Sequence, residues 1–173
     1  MDLCGFCGER TREGVEPDAG AVAAMTATMT PRGPDAAGMV VRDRFALGHR
    51  RLSIIDLSST AEQPMVDPHS GLAIVFNGCI YNHPELRREL EGKGHRFFSD
   101  HSDTEVILRS YAEWGERCVE RFNGMFAFAI AERETGRLVL ARDRLGIKPV
   151  YYAETDRGLR FASSLPALVK GGG

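Results

Sequence analysis

Residues 125–131 read Met-Phe-Ala-Phe-Ala-Ile-Ala, a strand-length run that is apolar on both faces. Successive strand side chains point to opposite sides, so neither face of this segment carries a polar residue to meet water, and both must be covered. Residues 72–76 (Leu-Ala-Ile-Val-Phe) have the same character and stop at Asn77-Gly78. A sheet built on such strands needs a helix layer on one side and a second sheet on the other. Glu134-Thr135-Gly136 turns the first run into residues 138–141, and residues 155–158 join 150–153 to 159–163. Residues 45–55 form a mixed apolar and basic strand. Neighbouring hairpins in place of βαβ alternation predict antiparallel sheets with segregated helices, an α+β layout.

Three helices interrupt the strands. Over 21–29, Val22, Met25 and Met29 fall at i, i+3 and i+7 and make one apolar stripe. Asn82-His83-Pro84-Glu85 has capping-box spacing with Pro in the first turn, followed by Leu86 and Leu90 on one face. Ser102-Asp103-Thr104-Glu105 repeats the capping form, and Ile107, Tyr111 and Trp114 form the stripe behind it.

At 173 residues the chain suits one domain with a real core. With 22 basic against 24 acidic residues, it lacks the charge that nucleic acid or an anionic membrane surface selects. No apolar run approaches the ~20 residues of a membrane span, and residues 1–9 lack the basic start and apolar run of a secretory signal. Cysteines at positions 4, 7, 79 and 118 are too unevenly spaced for a disulfide framework, which leaves a soluble, cytoplasmic, reduced protein as the expectation.

Four features could carry chemistry. Cys4-Gly5-Phe6-Cys7 has the spacing of a redox pair or half a zinc site, but no second ligand pair and no thioredoxin-like βαβ unit accompany it, and two small buried thiols are the plainer reading. No metal site is expected. In Gly48-His49-Arg50-Arg51, alternation puts His49 and Arg51 on one face and Arg50 on the other; this is either a solvated strand face or an inward guanidinium suited to a carboxylate. Asn77-Gly78 is either a tight turn or a paired amide and glycine N–H of the kind an oxyanion hole needs. Asp103 is a helix-start carboxylate or an ammonium ligand. A nucleophile, an oxyanion site and clamps for a carboxylate and an ammonium are what an α-amino acid with an acyl-type side chain requires.

These residues stand in ordered motifs that run from Cys4 to about Leu168. They are Cys4-Gly5-x-x-Gly8, Arg32-Gly33-Pro34-Asp35, His49-Arg50-Arg51-Leu52-Ser53-Ile54-Ile55-Asp56 and Asn77-Gly78-x-Ile80-Tyr81-Asn82, followed by Ser102-Asp103-Thr104-Glu105-Val106, Phe122-Asn123-Gly124-Met125-Phe126-Ala127-Phe128 and Arg142-Asp143-Arg144-Leu145-Gly146-Ile147-Lys148-Pro149. The chain thereby resembles the glutaminase domain of asparagine synthetase-like class II glutamine amidotransferases. Cys7 and Asn77-Gly78-Cys79 are most similar to its N-acetylglutaminylglutamine amidotransferase subgroup.

The resemblance implies an N-terminal-nucleophile (Ntn) hydrolase fold, a four-layer αββα sandwich. It implies Cys4 as nucleophile with its own α-amine as base, and Asn77 and Gly78 as the oxyanion hole. Arg51, helped by backbone near Ile54, would bind the α-carboxylate of L-glutamine, and Asp103 its α-ammonium. Glutamate and ammonia would form through a thioester. No cofactor is implied for this domain; ATP and magnesium would belong to a synthetase domain that receives the ammonia. The expected organisation is residues 1–3 as a leader, 4–168 as the glutaminase domain and 169–173 as a Gly-rich tail where a synthetase domain would follow.

Two departures bear on activity. Met1-Asp2-Leu3 precede Cys4, and an amide nitrogen there cannot accept a proton at neutral pH. Cys79 stands where asparagine synthetases often have Glu, so Asp103 would carry more of the ammonium. The alternative in another class is a glutamine-binding or structural module that does not hydrolyse; a Cys4/Cys7 redox or zinc protein is a third.

Overall fold

The computed structural model describes residues 4–51 and 62–172. Its strands are β1 (Cys4–Thr11), β2 (Ala36–Arg42), β3 (Phe45–Arg51), β4 (Met65–Val66), β5 (Leu72–Ile80), β6 (Gly124–Glu132), β7 (Leu138–Arg142), β8 (Tyr151–Thr155) and β9 (Gly158–Ala162). Its helices are α1 (Ala19–Thr28), α2 (His83–Gly92), α3 (Asp103–Trp114), which continues into a 3₁₀ segment over Gly115–Arg121, and α4 (Leu165–Lys170). One sheet has the order β2-β3-β1-β9-β8 and the other β4-β5-β6-β7, with antiparallel pairing throughout.

Both faces of β6 are covered as its pattern requires. Ala127, Ala129 and Ala131 meet Phe6, Phe45, Leu47 and Phe161 of the first sheet. Phe126, Phe128 and Ile130 face the opposite way, onto Leu86 and Leu90 of α2 and Val106, Ile107 and Tyr111 of α3. Small side chains on one inner face thus admit aromatic rings from the other, which lets the two sheets pack closely. On the outer face of the first sheet, Cys7, Ala46 and Ala162 pack under Val22, Met25 and Met29 of α1 and Ala167 and Leu168 of α4. The layers run helix, sheet, sheet, helix, the α+β sandwich expected.

Some local expectations are corrected. β5 does not stop at Asn77-Gly78 but runs on to Ile80, its register with β6 unbroken. Gly78 allows this: its φ is 148°, and a Cβ there would lie 2.1 Å from the Met125 carbonyl oxygen. Asn82 makes no side-chain cap for α2. Its amide is spent across a loop, Oδ1 accepting Asn123 N–H at 2.9 Å and Nδ2 donating to the Arg121 carbonyl at 2.9 Å. Ser102 does cap α3 through Glu105 N–H, but Glu105 completes no capping box; its buried carboxylate instead takes the N–H groups of Phe98 and Ser99. The predicted strand 45–55 is seen as β3, and residues 52–55 lie outside the described residues.

The first sheet and α1 meet at Gly48, where a Cβ would lie 2.1 Å from Thr26 Oγ1 and 3.2 Å from Cys7 Sγ. Gly48→Ala should therefore force α1 off β3, at the ~1–3 kcal/mol of overpacked cores. In a chain of this size that lowers Tm by about 2–4 °C per kcal/mol. Thermal unfolding followed by circular dichroism checks this; an unchanged Tm would show that the helix–sheet contact is looser than described.

Candidate active site

The site begins at a rung of the first sheet. Cys4 pairs with Arg51 and Phe6 with His49 across β1 and β3. Residues opposite one another in a ladder share a face, and Phe6 lies in the core between the sheets. Cys4, Arg51 and His49 therefore all face the second sheet. Arg50 faces the other way and donates to Thr30 Oγ1, so the two arginines separate as alternation predicts. The end of β3 is held by the Arg32-Gly33-Pro34-Asp35 segment. Asp35 N–H donates to the Arg51 carbonyl at 3.1 Å, and a Cβ on Gly33 would lie 2.5 Å from the Arg50 carbonyl carbon.

The second sheet supplies the facing wall. β4 pairs with β5 only at Ile74 and Ala73, and the edge of β5 beyond that point is met by side chains. Phe76 N–H donates to Gln63 Oε1 at 2.6 Å, and Phe76 C=O lies 3.2 Å from His49 Nε2. Ile80 N–H donates to Asp103 Oδ2 at 3.1 Å. On the opposite edge, Tyr81 N–H bonds to Asn123 C=O, continuing the β6 side. In a strand, backbone polar groups of residues two apart point to the same edge. Gly78 N–H thus points to the edge occupied at Phe76 and Ile80, midway between them. Beside it the Asn77 side chain faces the first sheet and is almost fully buried, and its Nδ2 has no hydrogen-bond partner among the described residues. A buried donor without an acceptor is costly unless a ligand supplies one.

The His49–Phe76 contact registers the two walls. On this face the Cys4–Arg51 rung is the next beyond Phe6–His49, and Asn77 is the next residue after Phe76. Burial pushes His49 down to about 4, so at neutral pH the ring is uncharged; a carbonyl can only accept, which places the proton on Nε2. Arg51 and His49 line, with Glu62 and Gln63, a cavity of about 90 Å³.

Asp103 opens α3 and closes the same corner. Burial raises its carboxyl above the ordinary value, and the Ile80 N–H and the nearby His83 pull back without overcoming it. Cys79, half-buried, sits within reach of that charge, which joins burial in raising its thiol.

Cys7 and Cys118 belong elsewhere. Cys7 points to the outer face, under α1, with Sγ 3.3 Å from Thr26 Oγ1, and burial pushes its thiol up to about 12. Cys118 lies in the α2–α3 core and is raised likewise. Cys4 and Cys7 lie on opposite faces of β1, so they cannot share a metal or close a disulfide across the strand. Thus Cys4, Arg51, Asn77, Gly78 and Asp103 come to one corner, while Ile54 lies outside the described residues. The sequence pattern gives no task to Gln63 or to His49. Nothing in local pattern marks Gln63; His49 was placed on the face of Arg51 but without a partner.

Two antiparallel sheets between helix layers, with a cysteine on the first residue of β1 facing the inter-sheet corner, make the Ntn-hydrolase fold. Two solved structures share that fold. One is glutamine phosphoribosylpyrophosphate amidotransferase from Bacillus subtilis, with a TM-score of 0.80 at 21% identity over 98% of this chain and 44% of that one. The other, described as the allosteric regulatory enzyme of purine biosynthesis, gives 0.82 at 21% identity over 98% of this chain and 43% of that one. Residues 3–173 match the glutamine amidotransferase domain family, and the chain belongs to it. It is of the asparagine synthetase type. Asparagine synthetase 3 of B. subtilis is 41% identical over 147 residues, 84% of this chain and 24% of that protein. Asparagine synthetase B of Escherichia coli is 41% identical over 143 residues, 82% of this chain and 25% of that protein. The chain thus spans about a quarter of the length of these relatives.

The raised Asp103 carboxyl has a thermodynamic consequence. A folded state that holds the proton more tightly than the unfolded chain loses stability as pH rises through the folded pKa. In the absence of ligand, Asp103→Asn keeps the acceptor for Ile80 N–H and removes the buried charge. Its stability relative to the parent should therefore grow with pH above the ordinary Asp value and then level off. Urea unfolding of both chains across the acid-to-neutral range checks the sign; an advantage that shrinks with rising pH would contradict it.

Proposed function

We propose that this domain hydrolyses L-glutamine to glutamate and ammonia, and that the ammonia serves an ATP-dependent amidation on a synthetase domain or subunit. The observation that carries the reading is the buried Asn77 Nδ2, a donor with no acceptor among the described residues, on the face of β5 toward Cys4 and next to the Gly78 N–H at the β5 edge. An oxyanion formed on a side-chain amide carbon would supply that acceptor.

Each step then has a residue. The Arg51 guanidinium takes the α-carboxylate as a planar fork, and Asp103 takes the α-ammonium, which offsets the cost of its buried charge. Cys4 Sγ attacks the glutamine side-chain carbonyl while the Cys4 α-amine accepts the thiol proton. The negative charge that develops on the carbonyl oxygen is held by Asn77 Nδ2–H and Gly78 N–H. Collapse expels ammonia, which leaves with the proton the amine had taken, and a thioester remains. Water, deprotonated by the same amine, attacks the thioester and releases glutamate and free Cys4. This route needs a thiol, an amine and water; ATP and magnesium are assigned to the synthetase chemistry. None of the four cysteines is held in a disulfide among the described residues, which suits a cytoplasmic setting. Among the described residues no helix is long and apolar enough to cross a membrane.

Residues 1–3 lie outside the described residues, and the α-amine decides the mechanism. Removing a positioned general base costs ~10²–10⁴ in rate. A chain beginning at Cys4 should turn over glutamine, and the same chain carrying Met1-Asp2-Leu3 should be slower by that factor. Ammonia release measured on both, with the N-terminus verified by intact mass, checks this. Equal rates would remove the amine as base; no turnover by a folded chain starting at Cys4 would favour the non-hydrolysing glutamine-binding reading.

A further inference from the structure

We propose that His49 and Gln63 form a clamp on the Phe76 backbone that positions the oxyanion donors; the proposal rests on the glutaminase reading above. Neither side chain has a step of its own in the hydrolysis. Yet His49 Nε2 lies 3.2 Å from the Phe76 carbonyl, and Gln63 Oε1 accepts the Phe76 N–H at 2.6 Å. The carbonyl gripped by His49 belongs to the peptide plane that leads directly into Asn77. Fixing that plane fixes the start of the Asn77 side chain and, one plane further on, the direction of Gly78 N–H.

The clamp also ties the donors to both substrate clamps. His49 is two residues before Arg51 on the same face of β3. Gln63 spends its other end on α3, Nε2 donating to Thr104 Oγ1 at 3.3 Å, and Thr104 follows Asp103. One backbone residue of β5 is therefore bonded to the elements that carry Arg51 and Asp103. His49 is buried and neutral, so it acts as a fixed donor with no charge to reorganise. Both are positioning residues: they act through Asn77 and Gly78, and their loss should be felt in the transition state more than in glutamine binding.

The test compares His49→Gln, whose amide nitrogen can stand near Nε2 and donate to the same carbonyl, with His49→Met, which fills the space without a donor. Gln63→Met breaks the clamp from its other side and serves if His49→Met does not fold. In chains beginning at Cys4, each shown to be folded at the assay temperature, glutamine turnover is split into kcat and KM, and the Gly78 amide is followed by ¹H–¹⁵N NMR without substrate. We expect the Met variants to lose kcat by about tenfold to a hundredfold, the scale of a misplaced oxyanion donor, with much smaller changes in KM and a displaced Gly78 resonance. His49→Gln should restore both kcat and resonance. Equal losses in His49→Gln and His49→Met, unchanged kcat in the Met variants, or an unmoved Gly78 amide would each overturn the clamp. If the parent chain fails to hydrolyse glutamine, the functional reading falls, and the Gly78 resonance alone decides the clamp.

Discussion

β4 is two residues long and β5 is nine, and the site depends on that difference. Past Ile74 the edge of β5 runs on with no strand of the described residues beside it, and buried backbone groups there need partners from somewhere. Side chains take them at Phe76 and Ile80, from Gln63, His49 and Asp103. Gly78 falls between these two places. A longer β4 would close the edge with a ladder and leave no inward-pointing N–H where charge could develop. The side chains that replace the strand come from three separate parts of the chain, and their convergence sets the geometry of the corner.

Burial acts in opposite directions on His49 and Asp103. It keeps His49 neutral, a donor of fixed orientation bridging the sheets. It makes the charge of Asp103 unfavourable until a cation arrives. Together with Asn77 Nδ2, which has no hydrogen-bond partner among the described residues, the corner holds polar groups that the fold alone leaves poorly satisfied. Such strain is the usual cost of a preorganised site, and it is borne here by tight layers of Phe, Ile and Ala on either side of β6.

The layered fold was legible because the pattern of β6 admits one solution: a segment apolar on both faces has to be sandwiched. The split of Arg50 from Arg51, and of Cys4 from Cys7, was legible for a related reason, since strand alternation is strict. Asn77-Gly78 could be read as a turn or as oxyanion donors from local sequence. It proved to lie within a strand because a backbone 47 residues away, at Met125, packs against Gly78. Gln63 carried no signal at all. Its role comes from the segment just before β4 and the start of α3 meeting in space, and no periodicity encodes that. Asn82 shows the converse: a good capping pattern lost to a loop that offered its amide two better bonds.

The central claim, that Cys4 attacks a glutamine held with its carbonyl oxygen at the β5 edge, is tested most directly by a crystal structure of the chain beginning at Cys4 after reaction with a diazoketone analogue of glutamine. The account predicts a covalent bond to Cys4 Sγ, the ketone oxygen within hydrogen-bonding distance of Asn77 Nδ2 and Gly78 N, the carboxylate on Arg51 and the ammonium on Asp103. An adduct on another cysteine, or one on Cys4 whose oxygen points away from Asn77 and Gly78, would contradict it.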